Sequence, residues 1–221
     1  DRSIVQSPLA AGHYVYLIDW GYPDPSDRYV TLEDYINGYL RRSVKAVSKH
    51  TGVDKINLLG ICQGGAFSLC YASLYPDTLQ NLITMVTPVD FQTPDNMLSH
   101  WTQDMDVDLF IDTLGNVPAD LMNWCYLTLK PFRLLQQKYV GMTDILDNPA
   151  EMENFLRMEK WIFDSPDQAG EAFRQFIKDF YQGNKLLKGG LKIGEKAIDL
   201  KAIKLPILNI FAEQDHLVPP N

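Results

Sequence analysis

Several features that would point to a class of function are missing from this sequence. No apolar run approaches the roughly 18 residues of a membrane-spanning helix, and no basic segment followed by an apolar one marks a signal peptide. The formal net charge is −8 and no stripe of Lys and Arg offers an electrostatic footprint, which argues against a nucleic-acid partner. The three cysteines and four histidines include no C-x-x-C pair and no zinc-ligand spacing. The sequence therefore predicts no metal site, no bound cofactor and no disulfide framework.

What is present is the composition of an ordinary globular protein. The 221 residues are 46% hydrophobic and 22% charged, enough for one domain with a full core or for a core with an inserted cap. Free cysteines fit a reducing compartment, so we expect a cytoplasmic protein. The sequence starts at Asp1, and residues 1–9 resemble a helix entered partway. We therefore expect an internal piece of a longer protein.

Short apolar runs alternate with amphipathic helical patterns. Thr31 and Asp34 form a capping-box signature that opens a helix, and Gly52 ends it. The runs predicted as strands are 15–19, 55–59, 82–86 and 205–211; the first is predicted to be a buried parallel strand. This alternation indicates an α/β fold with a mostly parallel sheet flanked by helices.

The pattern changes in the middle of the chain, where helical periodicity dominates. We predict an α/β core over residues 1–90, a mostly helical cap insertion over 91–190, and a return to the core over 191–221. Residues 191–200 are expected to form a small hairpin. A helical block between two strands of one sheet predicts a cap over the strand ends, where open α/β sheets bind ligands.

The strongest motif is Gly-Ile-Cys-Gln-Gly-Gly at residues 60–65, between a strand pattern and a helix pattern. A free cysteine is most often an inert, buried side chain. Here the strand–turn–helix context predicts instead a nucleophile elbow with Cys62 as the nucleophile. The following helix N-terminus is expected to lower the thiol pKa, and the Gln63 backbone N–H to serve as one oxyanion donor. The second donor usually comes from a loop that would lie upstream of Asp1.

A carboxylate to accompany Cys62 is expected after a neighbouring strand. Asp215 follows the run 205–211, and Asp90, after the run 82–86, is the alternative; Asp215 is favoured because its strand is the better defined. His216 adjoins Asp215, and adjacent residues of extended chain point to opposite sides, so only one of the two can face Cys62.

The remaining candidates are weaker. His13, His50 and His100 are expected at the surface, so no histidine of this sequence is predicted as the base. Cys70 and Cys125 are expected to be packing residues. The lysines of 185–204 form a diffuse basic stretch, predicted as solvated surface, with contacts to a phosphate-bearing substrate as the alternative.

Four blocks together resemble the polyhydroxyalkanoate synthases. They are YLIDWG at 16–21, GICQGG at 60–65, MVTPVDF at 85–91 and NFLRMEKWIFDSPDQAG at 154–170. The sequence is most similar to the catalytic subunit of the two-subunit, class III type. The resemblance covers essentially the whole chain and implies an α/β-hydrolase fold with an inserted helical cap, truncated at both ends.

The resemblance also implies a reaction. Such enzymes polymerise (R)-3-hydroxyacyl-CoA, here expected to be short-chain such as 3-hydroxybutyryl-CoA, into polyester and release CoA, which is a leaving group and not a cofactor. By motif, Cys62 matches the nucleophile that carries the growing chain, Asp215 the catalytic aspartate, and His216 a neighbouring histidine with a supporting role. The catalytic histidine of the family lies in a Gly-His element past Asn221.

The expected partners are the substrate, the growing polyester chain, a second synthase subunit and further copies of the chain, at cytoplasmic polyester granules. Two alternatives remain open. One is a Cys-dependent hydrolase of the same fold acting on thioesters or lactones. The other is a non-catalytic granule or interaction module.

Overall fold

The computed structural model describes residues 3–215 and 217–220. Its central sheet has three parallel strands in the order β1-β2-β5. These strands are β1 (Ile56–Ile61), β2 (Leu79–Met85) and β5 (Ile207–Ile210). Ile61 pairs with Met85, and Met85 pairs with Ile210, so the three strands end at the same level. The residues that follow them therefore share one edge of the sheet, and the predicted α/β fold with a parallel sheet is confirmed.

The helices before and after β1 follow from their sequences. The Thr31 Oγ1 atom accepts a hydrogen bond from the Asp34 N–H (3.2 Å), and an Asp34 carboxylate oxygen accepts one from the Thr31 N–H (2.8 Å). This capping box precedes a π-helical stretch, Asp34–Leu40, that continues into α2 (Arg41–Thr51). Gly52 ends α2 at a φ of 73°, which favours glycine. A short helix, α1 (Gln6–Ala10), precedes these elements. Helix α3 (Gln63–Leu74) follows β1 and joins it to β2.

The core is built around α3, which is apolar on all sides. Every residue from 65 to 72 is buried. Phe67 on α3 contacts Phe176 edge-on, with 6.0 Å between ring centroids, and Phe91, just after β2, contacts Phe180 at 5.4 Å. This aromatic cluster fixes the helices that follow β2 against the core around α3.

The segment between β2 and the hairpin is helical, as expected. It contains α4 (Met97–Gln103), α5 (Val107–Leu114), α6 (Ala119–Leu129), α7 (Lys138–Met142), α8 (Pro149–Phe163), α9 (Gly170–Gln175) and α10 (Lys185–Lys188). Two further π-helical stretches, Phe132–Gln137 and Phe176–Gln182, precede α7 and follow α9. Antiparallel β3 (Lys192–Ile193) and β4 (Lys196–Ala197) form the predicted hairpin. No helix of the described residues is long and apolar enough to cross a membrane.

One strand prediction is wrong. Residues 15–19 form no strand, and Tyr16 and Leu17 are 45% and 81% exposed. A strand needs a hydrogen-bonded neighbour, and among the described residues β1 pairs only with β2. The run is apolar enough for a buried strand but has no ladder to join, and Tyr16 instead packs edge-on against His50.

Candidate active site

Cys62 lies at the turn between β1 and α3 in a strained backbone conformation. Its φ is 51° and its ψ is −121°, a region that residues other than glycine rarely occupy and that concentrates at functional sites. The Cys62 N–H donates to the Met85 carbonyl of β2 (2.9 Å), and the Cys62 carbonyl accepts from the Gly65 N–H (2.9 Å). The turn is thus fixed on both sides, and the predicted strand–turn–helix arrangement is present.

Two glycines of the motif are required by close packing. A Cβ atom on Gly60 would lie 2.5 Å from the Ser68 Oγ atom and 2.6 Å from the Gly64 carbonyl oxygen. A Cβ atom on Gly65 would overlap the Thr87 side chain, whereas one on Gly64 would meet open space. The strand end and the helix start therefore touch backbone to backbone, which directs the Cys62 side chain away from the turn.

The thiol environment differs from the sequence-based expectation. Cys62 has exposed surface, yet the protein atoms around its sulfur displace enough water to raise the thiol pKa above its ordinary value of 9.0. The backbone N–H of Gln63 lowers the pKa, and the charge of Asp215 raises it further. We expected the start of α3 to lower the pKa; its amide acts in that direction, but desolvation is the larger effect. At neutral pH the resting thiol is protonated and needs a base.

Asp215 lies in the loop that follows β5, at the same edge of the sheet as Cys62. One of its carboxylate oxygens accepts the N–H groups of Leu217 (2.9 Å) and Val218 (3.0 Å), which fixes its orientation. Its charge raises the pKa of the Cys62 thiol, so the carboxylate lies within electrostatic range of the sulfur. The structure brings Cys62, Gln63 and Asp215 together, as the sequence predicts; their roles in a reaction remain predictions.

Asp90, the alternative acid, is engaged elsewhere. Its Oδ1 atom accepts from the Gln92 N–H (2.9 Å) and from the Asn184 side-chain amide (2.7 Å). The Asn184 Oδ1 atom in turn accepts the Phe91 N–H (3.1 Å), and Asn184 is buried at a φ of 47°. Asp90 thus ties the loop after β2 to the far end of the helical segment, which favours a structural role.

No base is identified among the described residues. His216 lies outside them. His13, His50 and His100 are exposed, as predicted, and the His100 Nε2 atom lies 2.9 Å from the Pro94 carbonyl oxygen. None of these three acts on the Cys62 thiol. Within residues 3–215 and 217–220, no group of three or more His, Cys, Asp or Glu side chains could hold a metal ion.

Two tyrosines of the helical segment lie within electrostatic range of the thiol, and sequence reasoning missed them. Burial raises the pKa of Tyr126, on α6, to about 12, and the charges of Cys62 and Cys125 add to the effect. Burial also raises the pKa of Tyr181, with Tyr126 and Cys62 as further causes. Both phenols therefore stay neutral at physiological pH. An aromatic residue in a helix looks like a packing residue in sequence, so no signal distinguished them.

The other two cysteines are less accessible than Cys62. Cys70 is fully buried in α3, and burial raises its pKa to about 12, which agrees with the predicted packing role. Cys125 is partly buried on α6. A cleft of about 530 Å³ adjoins Asp215, with walls from the end of α6, the segment at the start of α4 and the loop after β5. This cleft gives the site room for a ligand.

Comparison with known proteins agrees with this geometry. Residues 2–221 match the family described as "alpha/beta hydrolase fold". The chain is 65% identical over 221 residues to the "Poly(3-hydroxyalkanoate) polymerase subunit PhaC" of Allochromatium vinosum, covering 100% of this chain and 62% of that protein. It is 62% identical to the protein of the same name from Thiocystis violacea, with the same coverage, and 53% identical to that of Synechocystis sp., covering 99% of this chain and 60% of that protein.

The chain thus spans about three fifths of the length of the curated relatives it matches. The match to the family extends over nearly the whole sequence, and the parallel sheet, the strained turn at Cys62 and the helical segment after β2 are all present. The chain belongs to the alpha/beta hydrolase fold family.

Proposed function

We propose that the full-length protein is a poly(3-hydroxyalkanoate) polymerase that carries 3-hydroxyacyl groups on Cys62 and passes them to a growing polyester. One observation carries the proposal: the strained turn of a hydrolase fold presents a thiol, next to a carboxylate, in a chain similar to subunits of that name. A cysteine nucleophile takes an acyl group from a CoA thioester and holds it as another thioester. Little group-transfer energy is lost, so the acyl group can be passed on.

The first half-reaction transfers the acyl group to Cys62. A base removes the thiol proton, and the sulfur attacks the carbonyl carbon of the 3-hydroxyacyl-CoA. The Gln63 N–H, which already points at the sulfur, donates to the oxyanion that develops on the carbonyl oxygen. The carbon–sulfur bond to CoA then breaks, and the departing CoA thiolate recovers the proton from the base. The products are an acyl-Cys62 thioester and CoA.

The second half-reaction forms the ester bond. The 3-hydroxyl of an acyl unit attacks an acyl thioester at the site, its proton goes to a base, and a thiolate departs. Asp215 either orients that base or assists activation of the hydroxyl, and its position next to Cys62 supports either role. The hydroxyl must react faster than water, which requires a dry site. The desolvation of Tyr126 and Tyr181 beside the thiol supports such a site.

The proposed partners follow from likeness to the relatives alone. They are 3-hydroxyacyl-CoA, expected to be the 3-hydroxybutyryl compound, the polyester chain, a second synthase subunit and further copies of the protein. The proposed location is the surface of cytoplasmic polyester granules.

The test combines mass spectrometry with product analysis. The full-length protein is exposed to 3-hydroxybutyryl-CoA, and peptides are searched for an acyl adduct. We expect the adduct on Cys62, its loss in Cys62→Ala, and its retention in the control Cys125→Ala, together with CoA release and polymer. Release of CoA with free acid and no polymer would identify the thioester hydrolase instead. Absence of both adduct and CoA release would favour the non-catalytic module.

A further inference from the structure

Two cations line the cleft beside Asp215 without a partner of opposite charge. Lys130 and Arg133 are both exposed there. Within residues 3–215 and 217–220, neither side chain makes a salt bridge or a hydrogen bond, whereas Arg157 and Arg174 on nearby helices pair with carboxylates. In a chain with a net charge of −8, the end of α6 and the residues after it thus give one wall of the cleft a positive charge.

Helix α6 connects these cations to the thiol. Tyr126 lies close enough to Cys62 for their charges to interact, and Lys130 follows Tyr126 by four residues at the C-cap of α6. Four residues of α-helix span about 6 Å along the axis. Leu129 lines the same cleft, and Arg133 follows in the π-helical stretch after α6. Asp215 lines the same cleft as Lys130 and Arg133, so a ligand that extends from the strand ends into this cleft meets both cations.

The cleft also holds carboxylates, which come from other segments. Asp95 lies before α4, and Glu213 lies with Asp215 in the loop after β5. Glu213 and Asp215 repel an anion from their part of the cleft, so an anionic ligand would be directed to the end of α6. A structural role explains one of the cations, since a lysine at a helix C-terminus is favoured by the helix dipole. It does not explain Arg133, which lies beyond that terminus.

We propose that Lys130 and Arg133 bind a phosphate group of the CoA part of the substrate, an inference that rests on the proposed function. A guanidinium group binds phosphate oxygens in pairs, and an ammonium group adds a point charge, so the two form a suitable site. The basic stretch that the sequence offered as an alternative fits less well. Lys185 pairs with Asp179 (2.5 Å), and Lys188 donates to the Gln92 side chain (2.5 Å).

The test compares three acyl donors with the full-length protein: 3-hydroxybutyryl-CoA, its dephospho-CoA analogue and its pantetheine analogue, which has no nucleotide phosphates. For Lys130→Gln/Arg133→Gln we expect kcat/KM for the CoA thioester to fall at least about tenfold, mainly through KM, because a hydrogen bond to a charged group contributes about that factor. Turnover of the pantetheine thioester should not change. Arg133→Lys should keep part of the wild-type kcat/KM for the CoA thioester, because lysine retains the positive charge. Arg157 is an exposed cation of α8, and Arg157→Gln should behave as the wild type.

The dephospho donor identifies which phosphate is bound. If the double variant loses as much kcat/KM with the dephospho-CoA thioester as with the CoA thioester, the two cations bind the pyrophosphate. If it loses less with the dephospho-CoA thioester, they bind the 3′-phosphate. An equal loss with all three donors, or no loss with the CoA thioester, would overturn the proposal. Calorimetry with CoA alone separates it from the polymerase assignment. CoA binding that weakens about tenfold in the double variant supports the phosphate site even if no polymer forms, and absence of CoA binding to the wild type refutes it.

Discussion

The adjacent glycines Gly64 and Gly65 give a matched test of how the turn at Cys62 is built. An added Cβ atom on Gly65 would overlap the Thr87 side chain, with Thr87 Cγ2 at 2.6 Å and Thr87 Cβ at 2.7 Å. No rotation about the Thr87 side chain can move its Cβ atom, so the backbone of α3 or of the loop after β2 must shift. On Gly64 the same Cβ atom meets nothing within 4 Å.

The expected magnitudes follow from these contacts. Overpacking a well-packed site costs about 1–3 kcal/mol, and we place Gly65→Ala at the upper end, because the overlapping atoms include one that no rotamer can move. Gly64→Ala should change the free energy of unfolding by between zero and about 1 kcal/mol in the stabilising direction, since alanine is favoured over glycine in a helix. The two substitutions add the same methyl group one residue apart.

The assay is urea unfolding of the full-length protein, followed by intrinsic fluorescence, with Thr87→Gly added to remove the overlapping side chain. In a double-mutant cycle, Gly65→Ala and Thr87→Gly should show a favourable coupling of at least about 1.5 kcal/mol. The Thr87 hydroxyl also donates to the Met85 carbonyl (3.1 Å), so Thr87→Gly alone should cost about 1 kcal/mol. Equal unfolding midpoints for Gly65→Ala and Gly64→Ala, or no coupling with Thr87→Gly, would refute this account of the turn.

Two further predictions concern the thiol and the loop after β2. Because Asp215 raises the pKa of Cys62, Asp215→Asn should lower it, so iodoacetamide alkylation of Cys62 at pH 8 should be faster than in the wild type and its pH profile displaced downward; an unchanged profile would mean that the two groups do not interact. Asn184 is buried and hydrogen-bonded to Asp90 and Phe91, so Asn184→Ala should lower the free energy of unfolding in urea by about 2–4 kcal/mol. Its φ of 47° favours glycine, so Asn184→Gly should be less damaging than alanine by up to about 1 kcal/mol. Equal costs for alanine and glycine would show that the backbone conformation contributes nothing.

Several of the features that the sequence predicted correctly are determined by short-range chemistry. The turn at residues 60–65 needs glycines where backbone meets backbone, and the capping box of Thr31 and Asp34 needs only residues three apart. The hairpin around Gly194 is equally local. The wrong strand at 15–19 depended on a hydrogen-bonded neighbour, which a local apolar pattern does not supply. The strands that were predicted correctly have distant partners, as Met85 and Ile210 do, so an apolar run indicates a strand but does not show whether a neighbouring strand is available.

Long-range contacts bear on the questions that the sequence left open. Asp90 and Asp215 were rival acids on the same reasoning, and the distinction comes from Asn184, which lies 94 residues from Asp90 in sequence and binds its carboxylate. Tyr181 is held by the aromatic cluster of the helical segment, where it packs edge-on against Phe91 and Phe176. The direction of the Cys62 pKa shift also depends on tertiary structure. Desolvation of the thiol, which raises the pKa, results from tertiary packing, whereas the Gln63 N–H, which lowers it, is the next residue in sequence.

The raised pKa of Cys62 bears on how the proposed reaction avoids hydrolysis. A thiol with a pKa above its ordinary value is protonated in the resting site and resists oxidation and adventitious acylation, so it becomes a nucleophile only when a base is in place. The desolvation that raises the pKa also limits the water near the thioester once it forms. The phenols of Tyr126 and Tyr181 remain neutral under the same conditions and add no charge that would draw water into the site. In the proposed reaction a single physical cause, the desolvation of Cys62, thus makes the thiol less reactive at rest and favours transfer of the acyl group to a hydroxyl rather than to water.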